Sequence, residues 1–136
     1  MSFDYVSDLF GKFRKGKRTR FTELEENAKS LLRQFVNGKL SNKEFAKEFK
    51  GVARTFNELT TKGDQSVIDE DTPLWLNSLL GFHFIDWLRF QQVEQYFEEH
   101  PKELVGQTAA TYEELKSRGY TEKFKQVCNY VLSELD

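Results

Sequence analysis

"LWLNSLLGFHFIDWLRFQQVEQYF", Leu74 to Phe97, is the most hydrophobic stretch of the chain, and its reading decides the fold. Its apolar residues cover more than one helical stripe: Leu76, Leu79, Leu80, Trp87 and Phe90 on one side, Phe84, Ile85 and Leu88 on another. A helix apolar nearly all round is one that others surround, so the pattern predicts a central helix over about residues 74 to 99. Gly81 marks a place for a kink or for a close neighbour. His83, set inside the apolar run, reads as a packed or partly buried histidine.

Working back from that helix, "LSNKEF" places Ser41 and Glu44 in capping-box relation. Phe45, Phe49, Val52, Phe56 and Leu59 then continue one apolar stripe. Before it, Thr22 reads as an N-cap followed by Glu23, Glu25 and Glu26, and Leu24, Ala28, Leu31, Leu32 and Phe35 recur at helical spacing until Gly38. The short link predicts an antiparallel hairpin of two helices. The first segment carries Phe3, Val6, Phe10 and Phe13 on one stripe with Asp4 and Asp8 early and base late, an order that suits a helix dipole; it is expected to end near Lys15.

Between the hairpin and the central helix, "TTKGDQSVIDEDTP" (60–73) lacks periodicity and reads as a surface loop. After the central helix, Pro101 suits the first turn of a helix reaching about Arg118, with Gly119 as its stop. Thr121 is the expected cap of a last helix whose face is Phe124, Val127, Cys128, Val131, Leu132 and Leu135. The expectation is an all-α fold: one domain over residues 1–136, a bundle of about five to six helices and no strand. Two Pro and eight Gly in 136 residues, against thirteen Phe, agree with long helices around an aromatic core.

Catalytic material is sparse. His83 and His100 are the two histidines, and no second His stands at ligand spacing from either. There is no G-x-S-x-G and no phosphate-cradling glycine loop. Cys128 is the one cysteine, so the chain has no internal disulfide, and its place on an apolar face reads as core. Glu98 with Glu99 and Glu113 with Glu114 are sequence neighbours that point apart on a helix and read as solvated surface. No catalytic, metal or cofactor site is expected. With no apolar run of secretory or membrane-spanning length, the expected compartment is the cytoplasm.

Charge is the informative property. Residues 1–63 hold 14 Lys or Arg against 8 Asp or Glu, a net +6, whereas residues 64–136 hold 6 against 14, a net −8, within an overall −2. The basic end is concentrated in residues 1–20, at Lys12, Arg14, Lys15, Lys17, Arg18 and Arg20. The acidic end begins with Asp64, Asp69, Glu70 and Asp71 in the 60–73 loop, with Glu98, Glu99 and Glu103 behind them. Such a distribution is consistent with plain solvated surface, with an acidic face for a basic partner, or with a basic segment for nucleic acid or an anionic membrane.

At "FVNGKLSNKEFAKEF", Phe35 to Phe49, the chain resembles the helix–turn–helix opening of colicin D type immunity proteins, including those paired with contact-dependent growth inhibition toxins. The matching positions are Gly38, Lys39, Leu40, Ser41, Glu44 and Phe45. The resemblance implies a small helical bundle that binds one cognate toxin and plugs its RNA site with acidic side chains. The family's own contact residues find no match, and the basic N-terminal segment is an addition to the family pattern. The leading expectation is therefore a non-enzymatic inhibitor that occludes a basic toxin, a nuclease first of all, through the acidic residues named above. The alternative is a helical accessory or regulatory protein that binds nucleic acid or an anionic membrane through its basic segment.

Overall fold

The computed structural model describes residues 18–135, so the expected N-terminal helix over 3–15 lies outside the described residues. The chain is mostly helical: α1 (Thr22–Val36), α2 (Asn42–Leu59), a two-stranded hairpin β1 (Thr61–Lys62) and β2 (Gln65–Ser66), α3 (Leu74–Ser78), a π-helical segment (Leu79–Phe84), α4 (Ile85–Glu99), a 3-10 turn (Pro101–Glu103), α5 (Gly106–Ser117) and α6 (Tyr120–Leu135).

The α1–α2 hairpin forms as expected and is antiparallel, since Phe35 stacks on Phe45 at 4.1 Å while Phe21 meets Phe56 at 5.8 Å. Gly38, at φ +76°, turns the chain where a side chain would be strained, and the Lys39 and Leu40 N–H groups then reach the Gln34 carbonyl. The capping box is present: the Glu44 N–H donates to Ser41 Oγ at 3.1 Å and the Ser41 N–H to Glu44 Oε1 at 3.0 Å. At the start of α1 the cap differs from the expected one. Phe21, not Thr22, holds the N-cap position, and the Thr19 N–H donates to Thr22 Oγ1 at 2.9 Å. The Phe21 ring is fully buried, so this position is fixed by packing and Thr22 falls inside the helix rather than before it.

The 60–73 segment is not wholly irregular. Thr61 pairs with Ser66 and Lys62 with Gln65 around Gly63, a strand pair too short to register as periodicity in sequence. Thr60, Thr72 and Pro73 are buried and pin the ends of the segment to the core.

The stretch expected as one central helix is a continuous rod, with right-handed helical backbone at both junctions, but its middle turn is π-helical. In a regular α-helix His83 follows Leu79 by four residues and precedes Trp87 by four, which would bury it. The π turn, with its i to i+5 repeat, sets Phe84 over Leu79 instead. Phe84 and Trp87 are accordingly almost fully buried, and His83 is exposed, contrary to the expectation of a packed or partly buried histidine. The rod is also not apolar all round in use, because Phe82 is 70% exposed and Leu74 and Ile85 also face solvent. Gly81 has open space around it, and among the described residues no neighbour approaches it closely.

The core is aromatic. Phe35 and Phe45 stack, Phe45 stacks on Phe49 at 4.8 Å, Phe49 meets Phe84 edge-on at 5.0 Å, and Trp87 stacks on Phe124 of α6 at 4.9 Å. Phe124, Cys128 and Leu132 form the buried face of α6, with Val127, Val131 and Leu135 partly buried beside them. Thr121 does not cap this helix. It lies in the first turn and its hydroxyl accepts from Trp87 Nε1 at 3.1 Å, which satisfies a buried indole N–H. The helix expected over 101–118 is divided: the 3-10 turn ends at Glu103, the chain is extended at Val105, and α5 begins at Gly106 with φ +55°.

Candidate functional site

α4 holds its last buried side chain at Phe90, which packs on Tyr120 at 5.2 Å. Beyond that point Phe97 of α4 meets the buried Tyr112 of α5 at 4.9 Å. Glu94 and Glu98 stand one helical turn apart on α4, and Glu113 adjoins Tyr112 on α5.

These carboxylates act on common neighbours. Burial pushes the Tyr112 phenol above its ordinary range, and the negative charges of Glu94, Glu98 and Glu113 push it the same way. Glu94 is raised by burial first, then by Glu98 and Glu122, with the Gln91 amide and Lys116 opposing. Lys116 is the local counter-charge, 3.9 Å from Glu113 and 5.3 Å from the centre of the Tyr112 ring. At the α4 terminus Tyr96 stacks on His100 at 4.3 Å, and the Glu103 carboxylate accepts from the Tyr96 hydroxyl and raises its pKa. Glu99 accepts from Gln95 Nε2 at 3.2 Å. The α4–α5 end is thus an acidic surface built on the buried Tyr112 and the half-buried Phe97.

Only part of the acidic group expected from sequence is here. Glu98, Glu99 and Glu103 belong to this end; the loop does not. The 60–73 segment follows the C-terminus of α2, whereas Glu98 lines a groove with Ser41, Asn42 and Lys43 at its N-terminus. The eighteen residues of α2 span roughly 27 Å, so the two acidic groups are separated rather than stacked behind one another.

Within the loop, Asp64 sits exposed in the hairpin turn, Glu70 is exposed and Asp71 is half-buried. Asp69 is engaged internally. Its carboxylate accepts from Arg20 Nη2 at 3.0 Å and from the Asp71 N–H and the Thr72 hydroxyl, and the Arg20 hydrogen bond holds it below the usual carboxylate range. Arg20, a candidate for anion binding, also donates from Nε to the Leu59 carbonyl at 3.1 Å. Arg18 is exposed, 3.9 Å from Glu23; Lys12, Arg14, Lys15 and Lys17 lie outside the described residues. Sequence reasoning misses Glu94 and Glu113. The i, i+4 spacing of Glu94 and Glu98 is legible, but the convergence of Glu113 requires the fold of α5 onto α4.

Among the described residues no group of His, Cys, Asp and Glu is arranged to hold a metal ion, and no helix is long and apolar enough to cross a membrane. Compared with known proteins, the chain matches no family model, no curated protein and no solved structure.

Proposed function

We propose that this protein is a non-enzymatic inhibitor of the immunity type, which binds a cognate basic toxin, a nuclease domain in the first instance, and occludes its phosphate-binding groove with the acidic α4–α5 end. The observation that carries the reading is that Glu94 and Glu98, one turn apart on α4, and Glu113, next to Tyr112 on α5, all place negative charge within reach of the buried Tyr112 phenol. Like charges gathered at one place cost stability to the free protein, and a partner that needs positive charge to hold phosphates offsets that cost on binding. Charge of this kind steers association and selects the partner, while the half-buried aromatic ground beneath it supplies a rigid support.

The reading is tested by co-expressing the protein with a candidate toxin nuclease domain taken from its gene neighbourhood and measuring growth. Wild type restores growth, and Glu99→Lys, Glu103→Lys and Glu113→Lys together abolish rescue while the circular dichroism spectrum is unchanged. Loop variants Asp64→Ser and Glu70→Ser retain rescue. Failure of the wild type to rescue or to form a complex removes the reading; equal rescue by the triple variant moves the contact surface elsewhere.

A further inference from the structure

A groove of about 510 Å³ runs between the N-terminal half of α2 and the outer half of α4. Its α2 wall carries Lys43, Lys47 and Lys50, spaced four and three residues apart and so on one face; its α4 wall carries Glu94 and Glu98 among the neutral Gln91, Gln92 and Gln95. Ala46 and Leu88 line it between the walls, the first buried and the second half-buried. All three lysines are exposed, and among the described residues none has an ion-pair partner within 4.0 Å. Two antiparallel helices that part beyond the Phe45–Trp87 contact therefore leave a seat with an apolar floor and walls of opposite charge.

We propose that this groove docks an amphipathic helix of a protein partner, with an acidic flank along Lys43, Lys47 and Lys50, a basic flank along Glu94 and Glu98, and small or aliphatic residues on Ala46 and Leu88. Lys43 to Lys50 spans about 10 Å, two turns of a guest helix. A groove between two helices offers the ridges against which a third helix packs. The opposed walls exclude an anionic strand, which Glu94 and Glu98 repel, and they set the direction of the guest, because reversing it exchanges its flanks. Each lysine alone resembles ordinary surface in the sequence; the glutamates facing them make the stripe distinctive. The groove shares Glu94 and Glu98 with the acidic end, but Glu99, Glu103 and Glu113, the positions changed in the growth-rescue test, do not line it, so the two proposals fail separately.

Three synthetic, end-capped helical peptides with one shared apolar stripe test it by fluorescence anisotropy with the full chain. One carries an acidic and a basic flank, one two acidic flanks and one two basic flanks. The bipolar peptide is expected to bind more than about tenfold tighter than either other, with affinity falling as salt rises. Lys43→Glu with Lys47→Glu, shown folded by circular dichroism, transfers the preference to the doubly basic peptide. Equal binding of all three, wild-type preference for the doubly basic peptide, or no effect of the charge swap overturns the proposal. So does tighter binding of single-stranded RNA, displacement by a peptide of residues 1–17, or loss of a homodimer on the charge swap, each of which assigns the groove to a different occupant.

Discussion

The Arg20 guanidinium meets both oxygens of the Asp69 carboxylate, at 3.0 and 3.5 Å, across 49 residues of sequence. One member comes from the basic segment and the other from the acidic loop, so two groups that sequence set apart as rival binding surfaces neutralise each other. The guanidinium also lies 4.4 Å from the centre of the Phe21 ring and bonds the Leu59 carbonyl, tying the start of α1 to the end of α2. Because its partner holds Asp69 below its unfolded value, the pair's contribution is present above the ordinary carboxylate range and is lost as pH falls through the folded pKa. Asp69→Asn should therefore lower Tm at neutral pH and flatten the fall of Tm with acidification. An unchanged acid limb in thermal melts would show that the pair is structurally incidental.

The π turn makes neighbouring residues unequal. Phe84→Ala removes a ring from the centre of the core and should cost about 3–5 kcal/mol. Phe82→Ser, two residues earlier, should change stability by less than about 0.5 kcal/mol, as should His83→Ala. Urea melts of the three variants decide the helix register; a large cost for His83→Ala would mean that a regular α-helix persists there.

The Trp87–Thr121 hydrogen bond joins α4 to α6 inside the aromatic cluster. Thr121→Val keeps the shape and removes the acceptor, leaving a buried N–H unpaired at a cost of about 1–2 kcal/mol. Thr121→Ser should recover most of it. Equal stability of the Val and Ser variants would show that the indole N–H finds water instead.

The acidic end is measurable without a partner. Tyr112 should titrate above the ordinary phenol range, isolated by subtracting the ultraviolet titration of Tyr112→Phe, and Glu98→Gln with Glu113→Gln should bring it down. High salt should narrow the difference. No movement in the double variant would mean that burial alone sets the value.

Burial pushes the Cys128 thiol up to about 12, so the thiolate needed for reaction is scarce at neutral pH. The folded protein should resist thiol-directed reagents, and labelling should follow the unfolding transition in denaturant. Fast labelling of the native state would mean that α6 opens locally.

How much of the fold is legible in sequence depends on the range over which each interaction acts. The Ser41–Glu44 box, the Gly38 turn and the Phe45–Phe49–Val52–Phe56 stripe are readable because each is decided within a few residues by backbone geometry and hydrophobic periodicity. The same local logic misplaces His83, since the π turn fits Phe84 and Trp87 to the rings of Phe35, Phe45 and Phe124, which no local window contains. It also assigns the α1 cap to Thr22 rather than Phe21, and it reads Thr121 as a cap rather than as the acceptor for Trp87.

The candidate site divides the same way. Sequence alone determined that the chain is mostly helical, aromatic in its core, low in histidine and cysteine and charged unequally between its halves. Only the tertiary structure decided which charges share an environment: Arg20 with Asp69, Glu94, Glu98 and Glu113 each acting on Tyr112, and the α2 lysines opposite the α4 glutamates. The physical reason is that helical periodicity fixes a residue's face on its own element, whereas electrostatic partnership depends on distance through space, which is settled when the apolar faces pack.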